Sequence, residues 1–540
     1  MSVFIYLGTS FLLFLASIYL LPSFLVTSAR LLGFALIKGS QGRRELLTTR
    51  TELDKENQGP STHSPGSSEQ EEWEKAETHD SGRPKHDVKT DKDWEGIIGF
   101  FHPFCNAGGG GERVLWAAIL ATQKRWPGAI CVVYTGDHDV DKISMLQRVK
   151  ERFNLDIYSP TVHFLYLTSR RYVLSSTWPH FTLLGQSVGS LLLAWDAFSL
   201  LVPDIFVDTM GYSFALAFSH YCFPNVPTGA YVHYPTISTD MLNNLSKDGQ
   251  GVNAGTGEGF RGKVKQKYWR LFARLYGWTG GTIDVVMANS TWTKSHLRKL
   301  WSPSREAKGM KEEIEAIFPP VAVEELAKQI EVSEVGEAER GPFLLYIAQF
   351  RPEKNHQLVL EAFAELVKNS PKTPKGTPRL ILIGSVRDGD DASRVYKLRI
   401  LAHELRIKEQ VEFICDASWP QILDWLRRSS VGVNGMWNEH FGIGVVEYQA
   451  AGLISVVNNS GGPKLDIVID IDGKPTGFHA STASEYADGF LKALELPSDQ
   501  ILAMRHRARK SAERFTEGAF ARSWITQMEK LVDMQIQRYR

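Results

Sequence analysis

The chain has 540 residues, with 61 Lys and Arg balanced by 61 Asp and Glu, so its formal net charge is zero. That length accommodates two domains with extensions, and the neutral balance removes any bulk electrostatic case for a nucleic-acid partner. Cys105, Cys131, Cys222 and Cys415 lie far apart with no C-x-x-C pair, which argues against structural zinc and a disulfide scaffold and reads as scattered buried thiols in a reducing compartment.

Val3 to Val26 is apolar almost throughout, and no charged side chain precedes Arg30. A single spanning helix needs about 20 such residues. The run is longer than the apolar core of a signal peptide and has no basic segment before it, so residues 1–38 are read as a membrane anchor. Arg30, Lys38, Arg43 and Arg44 follow the span, which by the positive-inside rule leaves the bulk of the chain facing the cytosol. On that topology the N-x-S/T triplets at Asn244, Asn289 and Asn458 would stay unglycosylated. Residues 39–93 are polar, mixed in charge and poor in aliphatics, a composition that cannot bury enough surface to offset chain entropy; they are predicted to be a disordered linker.

The first globular domain is set at residues 94–335. It opens with a buried strand, Ile97 to Phe101, a loop ending in Gly108, Gly109, Gly110 and Gly111, and a helix from Glu112 to Lys124. Such a loop can bring backbone N–H groups close to a phosphate, although a glycine run is by itself also a flexible turn. Further strands are predicted at 129–134, 162–167, 205–208, 229–233 and 285–288, separated by segments of helical length, so the sheet is parallel and doubly wound. His233 ends one of these strands. Two segments have an apolar or basic-aromatic texture: Phe181 to Val202 reads as a buried helix or a membrane contact, and Arg261 to Trp278 as an interfacial helix on anionic lipid or a solvated helix with one buried face.

The second domain, residues 341–515, has predicted strands at 343–348, 380–383, 411–414, 431–433 and 454–457. Between the first strand and a helix from Gln357 to Lys368 lies the turn Gln349-Phe350-Arg351-Pro352-Glu353-Lys354, which points two cations from one turn at a common anion. Between the last two strands lies Asn438-Glu439-His440-Phe441-Gly442-Ile443-Gly444-Val445-Val446-Glu447, an E-x7-E pattern on a glycine turn entering a helix. The turn's N–H groups favour an anion, and carboxylates beside it suit sugar or ribose hydroxyls, although two helical glutamates are also a common solvated face. Asp137 with Asp139, and Asp470 with Asp472, match D-x-D, but no metal site is assigned to them.

With Arg351-x-x-Lys354 and Glu439-x7-Glu447 in this order, the chain resembles the family 4 retaining glycosyltransferases. The resemblance implies a GT-B fold: two Rossmann-like α/β domains facing across a cleft, here with an N-terminal transmembrane helix, and with residues 516–540 crossing back to the first domain as a C-terminal helix. Within that family the anchor, the stretch His102 to Trp116 and His233-Tyr234-Pro235-Thr236-Ile237-Ser238 resemble the α-1,2-mannosyltransferases of N-glycan assembly. That implies GDP-mannose as donor and dolichol-pyrophosphate-linked Man3GlcNAc2 as acceptor. Two sequential additions would give Man5GlcNAc2 on the cytosolic face of the endoplasmic reticulum, beside a lipid surface and other glycosyltransferases of the pathway. It assigns Arg351 and Lys354 to the leaving diphosphate, Glu439 to mannose hydroxyls, Glu447 to the ribose, and His233 to the cleft near the transferred sugar. Gly442 and Gly444 would admit the phosphate, Gly108 to Gly111 would close the other side, and no metal or cofactor is required. Two alternatives stay open: a family 4 enzyme with another donor or lipid acceptor, and an inactive scaffold for glycosyltransferases.

Overall fold

A computed structural model describes residues 2–58, 94–243, 256, 259–310, 312–370 and 372–539, with side chains from residue 21 onward. Two parallel sheets form the body of the protein. The first has seven strands in the order β3-β2-β1-β4-β5-β6-β7: β1 Ile97–Phe101, β2 Ile130–Thr135, β3 Val162–Tyr166, β4 Ile205–Asp208, β5 Thr228–Val232, β6 Val285–Ala288 and β7 Glu315–Ala316. The second has six, ordered β10-β9-β8-β11-β12-β13: β8 Gly341–Ile347, β9 Arg379–Gly384, β10 Val411–Cys415, β11 Ser429–Asn434, β12 Ile454–Asn458 and β13 Gly477–Ala480. The predicted strands lie within a residue or two of these. The edge strands β7 and β13 are additions: the first is two residues long, and Gly477-Phe478-His479-Ala480 lacks a β-branched run.

Alternate residues of each strand feed opposite faces, as the pleat requires. In β1, Ile97 and Phe101 enter one core and Ile98 and Phe100 the other. The second of these cores is covered by α2 (Gly110–Arg125), α3 (Lys142–Phe153) and the last helix, which starts at Glu517 and ends at Tyr539. That terminal helix packs on α2, with Trp524 wholly buried and its indole donating to Thr122 at 3.1 Å.

The opposite face of the first sheet carries α4 (Thr182–Leu200), α5 (Ser213–Cys222) and α6 (Gly259–Gly280), and against them lies the N-terminal helix α1. This helix runs from Ser2 to Gln58, so residues 39–58, expected to be disordered, are helical instead. The reason is a docked face. Arg44 pairs with Asp204, which also accepts the Ile97 N–H at 2.7 Å, Leu47 is buried in the core, and Thr51 bonds the His163 ring at 2.7 Å. Residues 59–93 of the expected linker lie outside the described residues. Leu21, Phe24, Leu25, Leu31 and Phe34 remain exposed, and the apolar window within Leu21–Asn57 is 11% buried against protein. Cys105, Cys131 and Cys222 are buried, but Cys415, at the carboxyl end of edge strand β10, is exposed, contrary to the expectation for all four.

Candidate active site

In a doubly wound sheet the crevice opens where the strand order reverses, outside the carboxyl ends. The reversals fall between β1 and β4 in the first sheet and between β8 and β11 in the second. From these ends, and from the neighbouring β5 and β6, come residues that line one cavity of about 280 Å³: His233 and Asn289 from the first domain, Ala348, Lys354, Asn434, Glu439, Gly442 and Gly444 from the second. Gly110 and Gly111 of the glycine loop close its opposite wall.

Lys354 Nζ and Glu439 Oε2 form an ion pair, and Asn434 Nδ2 reaches the same oxygen at 3.5 Å. Burial pushes the Glu439 carboxyl up, but the adjacent Lys354 ammonium outweighs it and holds the group below the ordinary range. Its loop is held by backbone. The Glu439 carbonyl accepts the Gly462 N–H at 2.8 Å, and a Cβ on Gly461 would sit 2.9 Å from the Glu439 nitrogen. Gly442, at φ 109, caps the helix α7 (Ile443–Ala450), and only glycine takes that conformation without strain.

Glu447 lies on α7 outside the cavity lining. Half-buried yet surrounded by protein, it is pushed up to about 7 by burial, with the Arg113 charge only partly opposing. Arg351 also falls outside the lining. Its side chain is 35% exposed, its Nε is buried without a partner, and its nearest carboxylate, Glu353, is 3.8 Å away. Lys354 and Glu439 are thus in direct contact, whereas Arg351 and Glu447 flank the cavity.

On the opposing wall, the His233 ring bonds the Thr209 backbone and its Nε2 is buried without a protein partner. Burial first, and then the neighbouring His102, lower it to about 4, so the ring is neutral at physiological pH. A Cβ on Gly111 would sit 3.7 Å from that Nε2. The glycine loop has its own anchor. Glu112 Oε2 accepts the Gly109 N–H at 2.5 Å, half of a capping box, while Glu112 Oε1 lies 3.7 Å from His102 Nε2. His102 Nδ1 in turn meets Thr209 Oγ1 at 2.7 Å, across the switch point. Gly108, at φ 74, and Gly109 stand behind the cavity, while a Cβ on Gly110 would meet Ile443 Cδ1 of the second domain at 2.5 Å.

Sequence reasoning missed the residues that tie the domains together. His440 stacks on Tyr234 at 4.1 Å between ring centroids and on Trp292 at 5.2 Å. Asn438 donates to Asp240 at 2.6 Å, and Thr291 N–H to Asp466 at 3.0 Å. No spacing in the sequence joins these partners; the one local signal is that His440 stands next to Glu439. Among the described residues no group of three or more His, Cys, Asp or Glu side chains is arranged for a metal ion. Asp137 of the first D-x-D pair is engaged by Arg170 and by the Asn106 N–H.

A family profile described as ALG11 mannosyltransferase N-terminus matches residues 95–301, and one described as Glycosyl transferases group 1 matches residues 327–515. A Neurospora crassa protein named GDP-Man:Man(3)GlcNAc(2)-PP-Dol alpha-1,2-mannosyltransferase is 60% identical over 513 residues, covering 93% of this chain and 92% of its own length. Proteins of the same name from Mus musculus and Homo sapiens are each 42% identical, over 83% of this chain and 90% of theirs. Among solved structures, Anabaena Alr3699/HepE in complex with UDP and glucose superposes with a TM-score of 0.52 at 14% identity, over 80% of this chain and 98% of that one. A trehalose 6-phosphate synthase from Burkholderia multivorans does so with a TM-score of 0.58 at 13% identity, over 82% and 99%. These likenesses, with the two facing parallel sheets, show the GT-B fold.

Proposed function

The chain belongs to the family of GDP-Man:Man(3)GlcNAc(2)-PP-Dol alpha-1,2-mannosyltransferases, and from that membership we propose how its cleft transfers mannose and where it works. The enzyme moves mannose from GDP-mannose onto dolichol-pyrophosphate-linked Man3GlcNAc2 in α-1,2 linkage, and two successive additions give Man5GlcNAc2. The observation that carries the site is the Lys354–Glu439 pair facing the unpartnered His233 Nε2 across one cavity.

Donor and product are both α-linked, so configuration at mannose C1 is retained. The C1–O bond to the β-phosphate breaks, the acceptor 2-hydroxyl bonds C1 on the same face, and its proton passes to the departing phosphate oxygen. Lys354 supplies the positive charge that this departure needs, with Arg351 swinging in from the rim and the N-terminus of α7 behind it. Glu439, kept ionised, accepts hydrogen bonds from mannose hydroxyls, and Gly442 and Gly444 let the backbone approach the phosphates. His233 bonds the Thr209 backbone and leaves Nε2 as an acceptor for a hydroxyl in the cleft. Glu447 takes the ribose. These cationic side chains serve in place of a metal.

The family places the protein at a membrane, and its surface favours one orientation. Exposed Phe181, Leu184, Leu192 and Trp195 on or beside α4, and Val264, Leu271 and Trp278 on α6, lie on the sheet face that α1 also covers. Arg261, Lys263, Lys267, Arg270 and Arg274 on α6 add positive charge there. Apolar residues interleaved with basic ones, continuous with an anchoring helix, suit an anionic bilayer surface. We place α1 through the endoplasmic reticulum membrane as a single span, with both domains on the cytosolic side.

The test is transfer from GDP-mannose to lipid-linked Man3GlcNAc2 by the full chain in vesicles, without added metal, beside Glu439→Ala. Extension by α-1,2-mannose in the wild type alone supports enzyme, acceptor and site together. No transfer by a folded, reconstituted protein under any metal condition sinks the acceptor assignment, and equal transfer by the variant sinks the role of Glu439.

A further inference from the structure

A second cavity, of about 260 Å³, lies behind the glycine loop against α3, with Asn106, Gly108, Trp116, Arg148, Glu151 and Arg152 in its walls. We propose that it is a subsite for a sugar of the acceptor oligosaccharide other than the one that reacts; this rests on the transferase function above.

Position comes first. Gly108 lines this cavity while Gly110 and Gly111 line the transfer cavity, so the two share one loop. Three residues of chain span at most about 10 Å. An acceptor of five sugars whose terminal ring enters a 280 Å³ cavity beside the donor mannose has its remaining rings outside that opening, within reach of the surrounding wall. This cavity is next along the wall.

Chemistry comes second. Trp116 is wholly buried, yet its indole Nε1 has no partner within the protein. A buried N–H is ordinarily satisfied, and because Trp116 lines this cavity a ligand oxygen is the partner assigned to it. Arg152 lies across the loop: a Cβ at position 108 would fall 2.5 to 2.7 Å from three of its guanidinium atoms, although it is φ 74 that requires glycine there. Arg148 Nη1 donates to Asn106 Oδ1 at 3.2 Å, and the Asn106 N–H is held by Asp137 at 3.0 Å, so that rim is pre-set. Glu151 offers carboxylate acceptors beside the two guanidinium groups. Donors interleaved with an acceptor suit a ring of hydroxyls, each of which both donates and accepts, better than they suit a phosphate, which a carboxylate would repel. Val149 and Phe153 supply apolar walls for the C–H face of the ring.

The experiment measures steady-state transfer by the full chain in vesicles for wild type, Arg152→Ala and Trp116→Phe, with free Man3GlcNAc2 pentasaccharide and inorganic pyrophosphate as competitors. Arg152 is exposed, and Phe keeps an aromatic though smaller ring at the buried position 116, so both variants should fold, which a melting curve verifies. The subsite predicts a KM for lipid-linked acceptor raised about tenfold by Arg152→Ala and about threefold by Trp116→Phe, with the GDP-mannose KM unmoved. Inhibition by the free pentasaccharide weakens by the same factors. An unmoved acceptor KM in both folded variants overturns the subsite while leaving the transferase standing. Competition by pyrophosphate that Arg152→Ala relieves, with none by pentasaccharide, overturns the sugar assignment in favour of an anion. A wild type that transfers no mannose overturns the transferase reading and the subsite with it.

Discussion

Donor binding should release a proton, because Glu447 stands near neutrality in the free enzyme. Burial raises its carboxyl from the ordinary 4.5 to about 7, against a partial pull from Arg113. A carboxylate that accepts ribose hydroxyls binds best when ionised, so the bound complex favours the charged form. With a free-enzyme pKa of about 7, the ionised fraction falls from about nine-tenths at pH 8 to about one-eleventh at pH 6. GDP-mannose should therefore bind about tenfold more weakly at pH 6 than at pH 8, a difference of about 1.4 kcal/mol. The free protein should move the other way. Its folded-state pKa is raised, so the native state holds the proton more tightly than the unfolded chain, and stability present below pH 4.5 is lost as pH rises towards 7, by about 3 kcal/mol at most. Titration calorimetry of GDP-mannose without acceptor at pH 6, 7 and 8, in buffers of different ionisation enthalpy, reads both affinity and proton release. His233 and His440, lowered to about 4, stay neutral across this window. Asp208, raised to about 7 by burial, titrates in the same range but caps the Met210, Gly211 and Tyr212 N–H groups. Glu447→Gln separates the two carboxyls: its GDP-mannose affinity should be flat with pH, because the donor's diphosphate is esterified at both ends and does not titrate in this range. A flat profile in the wild type, or an equal slope in the variant, would refute the assignment of Glu447 to the ribose.

Lys354→Ala removes the cation beside a largely buried Glu439; it should abolish measurable transfer and lower unfolding free energy by about 2 kcal/mol in a denaturant titration, and unchanged stability would mean that the pair does not hold the loop. Glu439→Gln should keep the fold but reduce kcat about 100-fold in a radiolabelled-mannose assay. Glu112→Ala strips the Gly109 N–H of its acceptor and should cost about 10-fold in kcat, whereas Glu112→Gln, which can still cap, should recover most of it; equal loss in both would shift the weight to the His102 contact. Arg44→Ala leaves Asp204 with the Ile97 N–H alone and should loosen the docked part of α1, seen as faster amide exchange over residues 39–58 and a loss of about 1 kcal/mol.

What could be read from the sequence was local. Arg351 and Lys354 share one turn, and Glu439 and Glu447 share one turn and one helix, so their spacing is a property of a few consecutive residues. Parallel strands buried on both faces are continuous apolar runs, which placed every strand but the edge strands β7 and β13 within a residue or two. What could not be read depends on folding. Asp240 and Asn438 are 198 positions apart, and the stack of His440 on Tyr234 and Trp292 exists only once the domains face each other. Residues 39–58 misled by composition: a polar segment was expected to stay disordered, yet Arg44, Leu47 and Thr51 recur at helical spacing and all meet the first domain. That stripe was present in the sequence but too short to outweigh the polarity around it.

The two faces of the first sheet impose a route on the acceptor. In the membrane orientation proposed above, its lipid end would lie with α1 and the exposed residues of α4 and α6, on the face that holds one core, whereas α2, α3 and the second cavity lie over the other core. The transfer cavity sits between these faces, at the carboxyl ends of β1, β5 and β6. A glycan tethered to the bilayer on one side must therefore pass over the strand ends, present its terminal mannose at Gly111 and His233, and find any further contact on the side of Arg152. The docked portion of α1 makes that path a fixed length, because Arg44, Leu47 and Thr51 hold the helix against the sheet rather than leaving the domain on a loose tether. Lengthening the chain between the span and Arg44 should then slow transfer to membrane-borne acceptor while leaving transfer to a detergent-dispersed one unchanged. Equal rates on both would mean that the anchor only concentrates the enzyme at the surface and does not aim its cleft.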